Sequence, residues 1–314
     1  VTGSGHSSEP GQPRAGIFRS LANIAPLVLT ITMLSWAGNF IIGRWSAGHV
    51  PPLFLAWARW TLAVLLLTPF AVSFVRRDWH VIRNHLPILL LLGVTGGGLF
   101  NSLQYLALNH TSALNALLIN SGGPVFVSLA CLLIFGDRIG IWQWIGIALS
   151  ILGVLLVGTK GALAAIGTLR FELGDLFMLA AMLTWGVYTA FLRKRPQIHF
   201  MSFAVVQMAI AAMVNVPAAL WEHGQGAVVH PDFTTVAVVA YCGVFPSIIA
   251  YICYNRGVQL IGGARAGAYI HLTTLFGAVL SIVLLGETMQ LYHVAGFVLI
   301  IAGVILAARI STRP

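Results

Sequence analysis

Apolar residues in this chain come in long blocks, broken at short intervals by small polar or basic groups. Ten blocks stand out, at approximately 24–47, 53–75, 85–107, 112–135, 141–159, 172–192, 200–221, 234–255, 264–286 and 290–309. A helix needs roughly 20 apolar residues to cross a hydrocarbon core of about 30 Å, so each block suits a membrane span. The other way across a bilayer is a closed β-barrel, whose strands alternate apolar and polar positions. Segments such as Pro87–Leu92 are apolar throughout. The pattern predicts an all-α membrane protein of ten transmembrane helices. The loops are short, which leaves no room for a separate soluble domain, and Trp142, Trp144, Trp221 and Tyr292 read as interfacial anchors near span ends.

Composition agrees. The 314 residues are 58% hydrophobic and 8% charged, against about a quarter charged in an ordinary soluble protein. Three cysteines (Cys131, Cys242, Cys253) all fall within spans, so neither a disulfide framework nor a metal site is expected. The net charge of +9 does not imply nucleic acid, because the basic residues sit at the ends of apolar blocks and form no surface patch. Lys and Arg accumulate in cytoplasmic loops. With the N-terminus inside, thirteen of them (among them Arg76, Arg77, Arg83, Arg138, Arg193, Lys194 and Arg195) lie inside and only Arg44, Lys160 and Arg170 outside, while Arg59 lies within a span. Both termini are therefore expected in the cytoplasm. Residues 1–23 form a polar tail whose first part reads as a disordered expression remnant, and 311–314 form a short C-terminal one.

The second half repeats the first. Met33-Leu34-Ser35-Trp36 returns as Met182-Leu183-Thr184-Trp185, and Pro69 returns as Pro217. Further on, Gly136-Asp137 matches Gly286-Glu287, Gly146 matches Gly296, and Gly153-Val154 matches Gly303-Val304. The order of these landmarks divides the chain into a five-helix repeat over 24–159, a linker over 160–171 and a second repeat over 172–310. Five spans is an odd number, so the second copy enters the membrane inverted, an arrangement characteristic of secondary transporters with a site near the midplane between halves.

With a Trp in the first span of each half, and a fourth span ending in Gly-Asp or Gly-Glu before a Gly-containing fifth, the chain resembles the drug/metabolite transporter superfamily, specifically its EamA type. The likeness covers roughly residues 24 to 310. Within that group it is most similar to the YddG-type exporters of aromatic and other amino acids. The resemblance implies a central cavity lined mainly by spans one to four and six to nine, with spans five and ten peripheral. It also implies export.

Polar groups inside apolar spans are costly, so each is a candidate for lining a water-filled path. Arg59 is the one cation inside a span, and its repeat partner is Gln207; the pair points to a site near the pseudo-symmetry axis. Arg59 either holds a substrate carboxylate or snorkels to the interface and pairs with backbone carbonyls. His271, in the ninth span, is read either as a substrate or proton site or as a buried neutral side chain bonded to a neighbouring helix. Asn101, Gln104 and Tyr105 in the third span, and Tyr251 and Tyr254 in its counterpart, cluster on helix faces. Trp36, Trp60, Trp185 and Tyr188 offer flat rings for an aromatic side chain or a cation, and Asn39 follows Trp36 by three residues. Every acid lies in a tail, a loop or at a span end, so no carboxylate relay for protons is evident and gradient-driven uniport is preferred over proton antiport. Pro69, Pro124, Pro217 and Pro246 predict kinks, and Gly96-Gly97-Gly98 a hinge. There is no GxSxG, HExxH or P-loop, so no enzyme and no cofactor is expected.

The residues thus point to a secondary transporter that exports neutral amino acids across a bacterial inner membrane by alternating access. An exporter of lipophilic cations, drugs or other small metabolites is the alternative. The expected partners are the bilayer and a small-molecule substrate, without nucleic acid, the chain acting as a monomer or weak homodimer.

Overall fold

The computed structural model describes residues 24–137, 140–161, 172–261 and 269–308. The expected N-terminal tail, most of the linker, Arg265 with the small residues around it, and the C-terminal tail lie outside these. Every regular element among the described residues is helical. We number them α1 (Ala25–Trp45), α2 (Pro52–Asn84), α3 (Leu86–His110), α4 (Ala113–Ser121), α5 (Gly123–Phe135) and α6 (Ile141–Gly158). The second half holds α7 (Leu173–Phe191), α8 (Phe200–Gly224), α9 (Phe233–Ile261), α10 (His271–Leu285) and α11 (Leu291–Ala308). Six helices are long and apolar enough to cross a membrane, the bent pair α4–α5 makes a seventh, and α6, α10 and α11 are shorter apolar helices. Large apolar side chains such as Leu65, Phe70, Leu133, Phe233, Val283 and Leu284 are exposed around the outside, as lipid contact requires.

The halves are built alike in detail. The third helix of each relaxes into a π-helical turn, Val94–Leu99 in α3 and Gly243–Ile249 in α9. Gly136 closes α5 and Gly286 closes α10 with the same positive φ of 67°, a conformation glycine adopts without steric cost. Helices α6 and α11, the last of each half, run antiparallel and pack chiefly on each other. Ser150 Oγ donates to Ile300 O at 3.2 Å, and Gly153 faces the carbonyl of Gly296 while Gly303 faces that of Gly146. Helices α2 and α8 are also antiparallel and cap one another. Glu222, at the end of α8, accepts from the free N–H groups of Leu53 (3.1 Å) and Phe54 (2.8 Å) at the start of α2. Asp78, near the end of α2, accepts from His199 N (2.8 Å) and Ser202 Oγ (2.7 Å) at the start of α8. Glu287 does the same for α4, through Ala113 N (2.8 Å) and Leu114 N (2.9 Å). Carboxylates stabilise helix N-termini because the unpaired N–H groups and the helix dipole are positive there.

The prolines act in different ways. Pro69 and Pro217 sit inside unbroken helices, whereas Gly122-Gly123-Pro124 coincides with the 44° bend between α4 and α5. Pro246 lies in the π turn of α9. The three glycines expected as a hinge lie in the π turn of α3, and two of them are places of close approach: a methyl at Gly96 would overlap the ring of Tyr188, and one at Gly97 would overlap Ala211.

Candidate functional site

The site begins with Pro246. Proline has no N–H, so the carbonyl four residues earlier loses its helical partner. That carbonyl, Cys242 O, is taken by the hydroxyl of Ser247 at 2.7 Å. The proton of Ser247 is thereby committed, and its oxygen accepts from Arg59 Nε (3.0 Å) and Nη2 (2.8 Å). Arg59 Nη1 donates to Tyr105 OH (2.8 Å) and Asn39 Oδ1 (3.3 Å), and Tyr105 OH donates to the same Asn39 oxygen at 2.7 Å. The guanidinium lies over the Trp60 ring, 4.6 Å from its centroid. Four elements converge here: α1, α2, α3 and the π turn of α9.

Arg59 is 2% exposed, and all its hydrogen bonds go to neutral side chains. It neither reaches for the interface nor pairs with backbone carbonyls. No carboxylate of the described residues forms an ion pair with it. A buried cation is ordinarily neutralised by an anion; here the neighbours are dipoles and ring faces. Four of its five N–H groups are taken by Ser247, Tyr105 and Asn39, and one on Nη2 is left without a partner among the described residues.

The second half holds a related cluster without the charge. Gln207 Oε1 accepts from Tyr251 OH (2.9 Å) and Tyr188 OH (3.3 Å). Arg59 and Gln207 hold matched places in the repeat but do not form a single site at its axis. Tyr105 belongs to the Arg59 cluster and Gly96 lies against Tyr188 of the Gln207 cluster; nine residues of α3 separate them, about 13 Å of helical rise. Aromatic rings occupy the interval. Trp185 lies 5.1 Å from both Phe100 and Tyr188, and Trp36 lies 5.4 Å from Tyr254. The two π turns place carbonyls within reach of these rings: Trp60 Nε1 donates to Gly97 O at 3.0 Å and Trp36 Nε1 to Pro246 O at 3.3 Å.

Asn101 and Gln104 are buried but bond to each other, Nδ2 to Oε1 at 3.0 Å, and join neither cluster. His271 is the first residue of α10, half-buried, and its Nδ1 has no partner among the described residues.

Towards the end of α3 a cavity of about 530 Å³ opens beside Arg44, Asn109, Asn115, Lys160, Glu287 and His293. Asn109 stands one turn beyond Tyr105 and donates to its carbonyl at 2.9 Å, so this vestibule lies just outward of the Arg59 cluster. Both signs of charge line it. Lys160 pairs with Glu172 at 2.6 Å, and that hydrogen bond raises the Lys160 ammonium above its ordinary value. A polar chain closes one wall. His293 Nδ1 accepts from Gln290 N at 2.9 Å, which leaves the ring proton on Nε2 to donate to Asn115 Oδ1 at 3.0 Å. Asn115 Nδ2 donates to Thr111 Oγ1 (3.4 Å), and Thr111 donates to Asp175 Oδ1 (2.8 Å). His293 is 5% exposed and Asp175 fully buried. Sequence reasoning passed over both because each stands in the first turn of its helix, where charged and polar residues usually meet water. Ser247 was missed as well; the signal for it was a hydroxyl next to a proline inside an apolar block.

Comparison with known proteins agrees with this architecture. An uncharacterized transporter of Archaeoglobus fulgidus is 30% identical over 290 residues, covering 89% of this chain and 96% of its own. The uncharacterized transporter YyaM of Bacillus subtilis is 25% identical over 93% of this chain and 95% of its own. A probable terminal-alkyne amino-acid exporter of Streptantibioticus cattleyicolor is 27% identical over 90% of this chain and 92% of its own. A protein of known crystal structure shares the fold, with a TM-score of 0.58 over 91% of this chain and 96% of its own at 19% identity. The profile of the EamA-like transporter family matches twice, at residues 23–159 and 172–309. The chain belongs to the EamA-like transporter family.

Proposed function

We propose that this transporter exports neutral amino acids across a bacterial inner membrane by alternating access. In this reading ten spans form a five-plus-five inverted repeat, with both termini in the cytoplasm. The observation that carries the substrate class is Arg59: a buried guanidinium in a ring of neutral dipoles, with Trp60 beneath it. It offers the carboxylate of a zwitterion an unbalanced positive charge and the one N–H on Nη2 left without a partner, while the nearby ring faces suit the ammonium and the side chain. A lipophilic cation would meet a like charge at the same place, which weighs against the alternative of cation or drug export. The named amino-acid exporter among the relatives supports the same class.

The same reading runs a path past the aromatic rings from one cluster to the other. Trp36, Trp185 and Tyr254 wall it, Tyr188, Gln207 and Tyr251 form its far cluster, and His271 stands at the start of α10. Reconstituted vesicles loaded with unlabelled phenylalanine, threonine or methionine should drive counterflow of the labelled amino acid. Uptake of a quaternary ammonium ion with no amino-acid counterflow would overturn the proposal.

A further inference from the structure

Gln207 is 8% exposed, and its two polar ends differ in what they have left to offer. The carboxamide oxygen is occupied by two phenol donors, Tyr188 and Tyr251. With both phenols donating to Oε1, Nε2 is turned to the other side of the carboxamide. The amide nitrogen, Nε2, is buried without a partner among the described residues. A buried N–H donor left unpaired is costly. Here, two phenols hold the group so that its donor face stays free.

We infer that Gln207 is a second substrate station, a neutral donor site for an oxygen of the substrate carboxylate, on the side of the Arg59 cluster nearer the start of α8. The inference rests on the reading of this chain as a carrier of zwitterions. The repeat supplies the logic. Arg59 stands seven residues into α2 and Gln207 seven residues into α8, and the antiparallel pairing of these helices puts the two at mirrored depths. About 13 Å of α3 separates the clusters, longer than the reach of one amino-acid carboxylate. A substrate entering from the face that carries Asp137 and Arg193 therefore meets Gln207 first, passes rings of Trp185, Phe100 and Trp60, and reaches the guanidinium second. The chemistry is graded. The amide holds the carboxylate weakly enough to release it, and the cation draws it on.

The test uses the full-length protein in vesicles of both orientations, with phenylalanine as the probe. Gln207→Glu keeps an acceptor for both phenols and removes the amide donor. We expect KM for phenylalanine presented from the Asp137 face to rise at least tenfold, with KM from the opposite face changed less than twofold. Gln207→Met, similar in volume and without hydrogen-bonding capacity, should give the same one-sided effect and serves if the first variant does not fold. Wild-type KM values from both faces, or an equal rise from both, would overturn the station while leaving the carrier reading intact. Failure of the wild type to move phenylalanine, threonine or methionine would overturn the carrier reading and the station with it.

Discussion

Replacing Arg59 by Met should separate binding from folding, because the partners of the guanidinium hold other hydrogen bonds of their own. Asn39 Oδ1 keeps its bond from Tyr105 OH at 2.7 Å, and Ser247 Oγ keeps its bond to Cys242 O at 2.7 Å. None of the surrounding hydroxyl protons is orphaned, and a buried charge is exchanged for an apolar chain of related length. Exchanges of buried charged groups for packed apolar ones are often neutral or stabilising, by about 1–4 kcal/mol. Substrate binding should move the other way. A hydrogen bond to a charged group contributes about 1.5–3 kcal/mol, which corresponds to roughly 10- to 150-fold weaker binding of a carboxylate. The assay pairs thermal unfolding in detergent with phenylalanine counterflow in vesicles. The expected result is an unfolding temperature equal to or above that of the wild type, with KM raised at least tenfold. Phenylethylamine, which lacks the carboxylate, should bind Arg59→Met no worse than it binds the wild type. An unfolded variant would make Arg59 structural, and phenylalanine transport with unchanged KM would exclude it from carboxylate binding.

Other outcomes follow from the packing and the caps. Gly153→Leu would drive a side chain into Gly296 O and Ile300, so it should destabilise the α6–α11 pair by at least about 1–3 kcal/mol, as overpacking does; a melt like that of the wild type would contradict the antiparallel contact. Glu287→Ala removes both acceptors at the start of α4 and should cost about 0.5–2 kcal/mol, the range for loss of a helix cap, read as a lower unfolding temperature. The hydrogen bond from Arg193 holds the Asp137 carboxyl below its ordinary value of 3.8. A depressed carboxylate contributes stability that is fully present above the unfolded pKa and is lost as pH falls through the folded one. The difference in unfolding temperature between wild type and Asp137→Asn should therefore be constant from pH 8 to 5 and shrink only below about 3.8. A difference that changes between pH 6 and 8 would refute the pairing.

Much of the architecture is legible in the residues because a bilayer imposes a length and a repeated module imposes an order. The blocks of apolar residues mark the helices, and the paired landmarks Trp36 and Trp185, and Gly136 and Gly286, mark the duplication. The π turns are not legible, since an i→i+5 hydrogen bond leaves little compositional trace beyond a few Gly and Pro residues. They nonetheless set up the site, because the carbonyls of Gly97 and Pro246 and the hydroxyl of Ser247 all lie in these turns. Arg59 and Gln207 stand out as polar residues within apolar helices. That they form two clusters at different depths depends on the antiparallel pairing of α2 and α8, which spacing along one chain does not encode. The acids at span ends read as loop charges; Asp78, Glu222 and Glu287 are caps, each holding a helix of the opposite half.

The distance from Arg59 to a bound carboxylate tests the proposed binding mode most sharply. Solid-state NMR on protein labelled with ¹⁵N at arginine, holding phenylalanine with a ¹³C carboxyl, reads the separation of that carbon from the guanidinium nitrogens, with Arg59→Met identifying the signal. The expected separation is roughly 3–4 Å, the geometry of a paired guanidinium and carboxylate. Bound phenylalanine whose carboxyl carbon shows no dipolar coupling to Arg59 would contradict it.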